Sequence, residues 1–161
     1  KKTLDAFKKL HDEGKIRAFG VSNFTINHLK DIKPIMEELG VPISVNQVEY
    51  HPGLNQQALL DHCKNEGILL TAYSPIARGE LDAEVLEEIG SKHGKSSVQV
   101  ALRWLTQKGI IVIPKSSSEE HAKANMEIFN FKLEDEDIEK IDAIGDDQRL
   151  INPQGMADFD Y

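Results

Sequence analysis

Two hydrophobic periods alternate along this chain, and that alternation constrains its fold more than any other feature. Stretches with apolar residues every three to four positions are separated by short runs that are apolar on both sides, such as Ile68-Leu69-Leu70. The first period belongs to a helix with one buried face. The second fits a strand covered on both faces, which is the condition of a parallel sheet flanked by helices.

Element by element, Thr3 to Glu13 carries Leu4, Phe7 and Leu10 at helical spacing, with Gly14 as its stop. Ile16 to Val21 reads as a strand. Thr25 can cap a helix reaching Leu39, with Ile26, Leu29 and Ile32 on one face, a bend or break at Pro34 and closure at Gly40. Ile43 to Val48 is the next strand. Asn55 can cap a helix through Leu59, Leu60 and Cys63 that ends near Gly67. Ile68 to Tyr73 is a third strand. Asp82 to His93 and Ser97 to Gln107 are helices separated by Gly94. Ile110 to Ile113 is a fourth strand, followed by helices over Glu119 to Ile128 and Glu134 to Ile144. The tail from Asp146 to Tyr161 reads as irregular. The order predicts an α/β fold of four parallel βα units plus C-terminal helices and the tail, as one domain or part of one over residues 1–161.

Composition removes several function classes. With 19 Lys+Arg against 27 Asp+Glu the formal net charge is −8, which disfavours nucleic acid as a partner, since phosphate binding needs positive charge. No run nears the ~18 apolar residues that span a bilayer, so no membrane partner is expected. Cys63 is the only cysteine, which excludes an intrachain disulfide and points to a reducing, cytoplasmic compartment. The six histidines show no metal-ligand spacing, so no metal site is expected. Glu134 to Asp137 is a run of acids whose plainest role is to stabilise a helix N-terminus. Trp104 and Cys63 read as packed residues.

Each strand ends on polar residues: Ser22-Asn23, Gln47 with Glu49, Tyr73-Ser74 and Lys115-Ser116. Parallel sheets bind ligands at those carboxyl ends, where loops meet helix N-termini. Polar residues also simply mark where strands stop, a reading that weakens when all four ends share it. In Ile113-Pro114-Lys115-Ser116-Ser117-Ser118-Glu119 a lysine and hydroxyls lead into a helix, a pattern suited to a phosphate. It equally suits a surface Lys115 and a Ser118 N-cap, and the local sequence leaves the two level. Glu49 could orient a group of the site or make a structural hydrogen bond.

Four motifs resemble the aldo-keto reductase family: Gly20-Val21-Ser22-Asn23-Phe24, Asn46-Gln47-Val48-Glu49-Tyr50-His51-Pro52, Ala72-Tyr73-Ser74-Pro75 and Ile113-Pro114-Lys115-Ser116. They occur in that family's order and spacing, over Thr3 to about Ile144. The resemblance implies the C-terminal half, strands five to eight, of a (β/α)8 TIM barrel. Such barrels run to ~250 residues; on this reading the chain starts where the helix after strand four begins. The implied function is an oxidoreductase passing hydride from a nicotinamide cofactor to aldehydes, ketones or sugar-like carbonyls. Ser22, Asn23 and Gln47 would hold the nicotinamide carboxamide and Tyr73 would stack on its ring. Ser74, Pro75 and Ile76 would lie along the pyrophosphate. Lys115, Ser116 and Ser117 would meet the 2′-phosphate of NADP, favoured over NAD, while His121 and Asn125 would lie near adenine. The family often has Arg at the position of His121 and Glu or Gln at that of Ala124, so adenine gripping should be weak here. The resemblance places the catalytic Asp, Tyr, Lys and His in the preceding half, so no catalytic residue is expected in this chain, and alone it should be inactive. It would need the missing N-terminal half-barrel or self-association to cover an open apolar interior. The alternative is an inactive half-barrel serving as a binding or interaction module.

Overall fold

A computed structural model of the chain describes residues 2–79, 83–145 and 149–151. It contains α1 (Lys2–Asp12), β1 (Phe19–Ser22), α2 (Ile26–Leu39), β2 (Ile43–Glu49), α3 (Gln57–Asn65), β3 (Leu69–Tyr73), α4 (Ala83–His93), α5 (Ser97–Gln107), β4 (Ile111–Val112), α6 (Glu119–Met126) and α7 (Asp135–Asp142). The strands form one four-stranded sheet in the order β1-β2-β3-β4. The described residues divide into two compact units, 2–48 with 57–70, and 49–56 with 71–79, 83–145 and 149–151.

In the first unit β1 and β2 run parallel, with Gly20 opposite Val45, Val21 opposite Asn46 and Ser22 opposite Gln47. Gly20 is required here, because a Cβ would stand 2.6 Å from Val45 Cγ1. The Thr25 hydroxyl accepts the His28 N–H, and His28 Nδ1 in turn faces the Thr25 N–H, closing a capping box that starts α2. Gly40 ends that helix in the left-handed conformation at φ 68°. Leu29, Met36, Val41, Ile43, Leu59, Leu60, Cys63 and Ile68 are buried, each large apolar side chain worth roughly 1.5–3 kcal/mol. The expected break at Pro34 does not occur. Helix α2 continues through it, and Lys30 and Pro34 are both exposed, so solvent can meet the carbonyl that loses its donor.

In the second unit β3 and β4 are parallel, pairing Thr71 with Ile111 and Ala72 with Val112. The fourth strand is therefore two residues long rather than the four expected. Its flanks are set by Gly109, at φ 81°, and by Pro114, which has no N–H for the ladder. Helices α4 and α5 pack on one another, α4 meets α7 and α5 meets α6. Their core holds Leu86, Ile89, Val100, Leu102, Trp104, Leu105, Ile128, Leu133 and Ile141, each at most 2% exposed. Trp104 is a core residue as expected, and its indole N–H donates to Asp142 Oδ1 at 2.9 Å. Asn55 is not the cap of α3. Its side chain accepts from the Tyr50 hydroxyl at 2.7 Å and donates to Asp142 at 3.1 Å, and α3 begins two residues later. The acidic run splits: Glu134 stands at the N-cap of α7, while Asp137 is buried against Lys92 at 2.9 Å and His93 at 3.4 Å. The expected helix start at Asp82 and most of the tail lie outside the described residues.

Candidate functional site

At the strand ends of the first unit the Gln47 main-chain carbonyl accepts two hydrogen bonds, from Ser22 Oγ and from the Asn23 N–H, both 2.9 Å. That uses both of its lone pairs. Asn23 adopts φ 56°, a left-handed conformation that asparagine tolerates better than most residues. It turns the chain from strand to helix across Asn23, Phe24 and Thr25. Asn46 braces the turn: its amide donates to Phe24 O at 2.9 Å, and its oxygen faces the Phe24 N–H at 3.4 Å. Asn46 is fully buried. Burial pushes the neighbouring Cys63 thiol up to about 11, against a weaker opposing hydrogen bond with Asn46, so this cysteine is a packed, unreactive group. The sequence places Asn46 in a motif but assigns it no role, since its partner Phe24 lies 22 residues away.

In the second unit Tyr73 ends β3 half-buried, and its carbonyl accepts the Tyr50 N–H at 3.4 Å. The next turn is tight. Ala77 N–H donates to Ser74 O at 2.9 Å and Gly79 N–H to Ile76 O at 2.8 Å. Ser74, Ala77 and Arg78 all have positive φ, at 49°, 46° and 57°, each a left-handed conformation costing roughly 1–2 kcal/mol outside glycine. Pro75 is buried beside them.

After β4, Lys115, Ser116 and Ser117 are exposed, and Lys115 has no ion pair among the described residues. Ser116 Oγ donates to Ser118 O at 2.8 Å, and Ser118 Oγ accepts the His121 N–H at 3.0 Å to cap α6. Ser118 is thus the N-cap that the sequence suggested as one reading. Glu119 and Glu120 occupy the first turn, which favours the helix and opposes an incoming anion. His121 is exposed and Asn125 half-buried. Gln99 Nε2 donates to the Ala124 carbonyl at 2.9 Å and fixes α6 to α5.

Residues 1–146 match the model of the aldo/keto reductase family. The chain belongs to that family. Glyoxal reductase of Bacillus subtilis (strain 168) is 48% identical over 151 residues, covering 93% of this chain and 54% of that protein. The structure of an aldo-keto reductase from a Medee basin deep-sea metagenome library superposes with a TM-score of 0.86 at 38% identity, over 93% of this chain and 56% of that one. A Bombyx mori aldo-keto reductase in complex with NADP superposes at 0.85 with 29% identity, over 94% and 52%. The chain therefore spans about half the length of the relatives it matches.

A cavity of about 310 Å³ in this aldo/keto reductase chain lies elsewhere. Met36, Val41, Ile43 and Ile68 line it, with the Lys33–Glu66 ion pair (2.6 Å), at the amino-terminal starts of β2 and β3. None of the residues expected to hold a cofactor lines it. Among the described residues no group of three or more His, Cys, Asp or Glu could hold a metal ion, and no helix is long and apolar enough to cross a membrane.

Proposed function

We propose that this chain is the cofactor-binding, C-terminal half of an NADPH-dependent carbonyl reductase. Small aldehydes and dicarbonyls are the substrate class, by analogy with the glyoxal reductase it resembles. The observation that carries the reading is the junction of Ser22, Asn23 and Gln47. The Ser22 hydroxyl spends its proton on the Gln47 carbonyl, so toward a ligand it can only accept, which suits the N–H of a carboxamide. The side chains of Asn23 and Gln47 would complete an amide-shaped site, and Tyr73 would fix one ring face by stacking. When bound, the nicotinamide supplies the hydride. The strained turn over Ser74, Pro75 and Ile76 fits a loop shaped by a ligand, because such backbone persists where function holds it. Lys115 supplies a cation for a 2′-phosphate. Ser116 and Ser117 stand beside it, although Ser116 must rotate its hydroxyl away from Ser118 to donate. Glu119, Glu120, His121 and Ala124 all weaken the grip around adenine, leaving Asn125 as the nearest polar contact.

The proton donor and its tuning residues would come from the preceding half-barrel, whose apolar interior would cover Leu69, Ile111 and Ile113, which are exposed here. Localisation in the cytoplasm follows on this reading from the cofactor and the lone cysteine. Fluorescence titration with NADPH and NADH tests the assignment. Lys115→Ala should weaken NADPH binding about ten-fold or more, as expected for one lost charge-assisted contact, and leave NADH unchanged. Equal losses for both cofactors would overturn the assignment of Lys115.

A further inference from the structure

A buried carboxylate at the end of β2 has no part in the cofactor scheme above, yet both of its oxygens are engaged. Glu49 is 0% exposed. Its Oε1 accepts the Leu150 N–H at 2.7 Å and faces His51 Nε2 at 3.1 Å, and its Oε2 accepts the Ile151 N–H at 3.0 Å. The Gln56 side-chain amide also donates to the Glu49 main-chain carbonyl. Burying an ionised carboxylate is costly unless donors converge on it, and here two successive backbone amides do so from a segment a hundred residues downstream. One residue on, the Tyr50 N–H pairs with the Tyr73 carbonyl. The bound segment therefore sits at the carboxyl end of β2, beside the end of β3, where parallel sheets place their ligands.

We propose that Glu49 is a positioning residue: a two-oxygen latch that holds residues 149–151 against the strand ends and so fixes one wall of the carbonyl site. His51 holds the latch. Burial keeps its ring neutral, outweighing the opposing pull of Glu49, so Nε2 carries the proton that Glu49 accepts. Its Nδ1 is buried without a partner among the described residues, so nothing competes for the ring's orientation. A Gln side chain cannot replace Glu49, because it offers one accepting oxygen and turns an NH2 toward the other backbone donor.

The latch itself is tested on this chain by amide hydrogen exchange, whatever its activity. The Leu150 and Ile151 amides should be protected, and Glu49→Gln should speed their exchange at least ten-fold while protection in α5 stays. Fast exchange of both amides in the unaltered chain, or no change in the variant, would overturn the latch. If Glu49→Gln fails to fold, Leu150→Pro decides, since it deletes one donor and leaves the carboxylate alone. Ile151 should then lose protection, and unchanged protection refutes the latch. The role in the carbonyl site rests on the reductase reading and is measured with the chain joined to a catalytic half. There Glu49→Gln should raise KM for the carbonyl about ten-fold, since a small misplacement of a site wall is costly, with kcat and NADPH affinity within about two-fold. A fall confined to kcat or to NADPH affinity would overturn the role. An unaltered joined protein with no turnover would refute the reductase reading while the exchange result still judged the latch.

Discussion

His51 and Asn46 show how much of this chain's behaviour is settled by single buried polar groups. Asn46 spans the Phe24 peptide groups with both ends of its amide, so the turn that carries Ser22 and Asn23 is braced from inside. His51 is held neutral by burial, with its ionisation pushed below the ordinary value of 6.5. The unfolded chain then binds more protons than the folded one between that depressed value and 6.5, so stability rises with pH across the window and is lost on acidification. Denaturant midpoints measured between about pH 5 and 7 should climb with pH, and His51→Gln should flatten the slope. A slope unaffected by the substitution would exclude His51 as its source. The strand-end residues were readable because polar side chains interrupted apolar runs. The role of Asn46 was not, since a buried asparagine inside a strand looks like any other until its partner, Phe24, is folded beside it.

Among the elements, helices were the most legible because their start and stop chemistry is local. Thr25 and Gly40 bound α2 as expected, and Gly94 separates α4 from α5. Ser96 closes a second capping box with Gln99 at the start of α5, and the same rule accounts for both. Packing between α4 and α5 depends on a residue that the helical pattern only tolerates. A Cβ on Gly90 would lie 2.4 Å from the Lys95 carbonyl oxygen, and that oxygen belongs to backbone that cannot swing aside. Gly90→Ala should therefore destabilise the chain by roughly 1–3 kcal/mol, despite the better helix propensity of alanine, as a lower urea midpoint would show. A stabilised variant would mean that the Lys95 turn can give way. The short β4 and the misassigned cap at Asn55 each involve a partner far along the chain, Thr71 and Ala72 for the strand and Asp142 for the side chain, whose other partner, Tyr50, is five residues away.

For the molecule as a whole, the family membership and the span of about half the relatives' length frame the remaining experiment. Leu69 and Ile111 in the strands and Ile113 just after β4 are between 46% and 55% exposed, which is far from the burial on both faces that their apolar runs imply. Under the proposed function, this chain by itself should turn over no aldehyde with NADPH. Expressed together with the preceding half of a relative such as the glyoxal reductase, it should gain turnover. Activity of the chain alone against an aldehyde panel would refute the half-barrel reading. Absence of both turnover and cofactor binding after complementation would favour an interaction module.

The alternation of two periods was enough to determine a parallel α/β chain, its order of elements and the polar strand ends, because each follows from residues near one another in sequence. Four motifs in register were enough to point to the family. The tertiary structure alone decided that α2 runs through Pro34, that Asn46 holds the Phe24 turn and that Glu49 binds the Leu150 and Ile151 amides. The first depends on solvent reaching the carbonyl that Pro34 leaves without a donor, the other two on which groups the fold brings to a buried donor or acceptor, and no local pattern encodes a partner a hundred residues away.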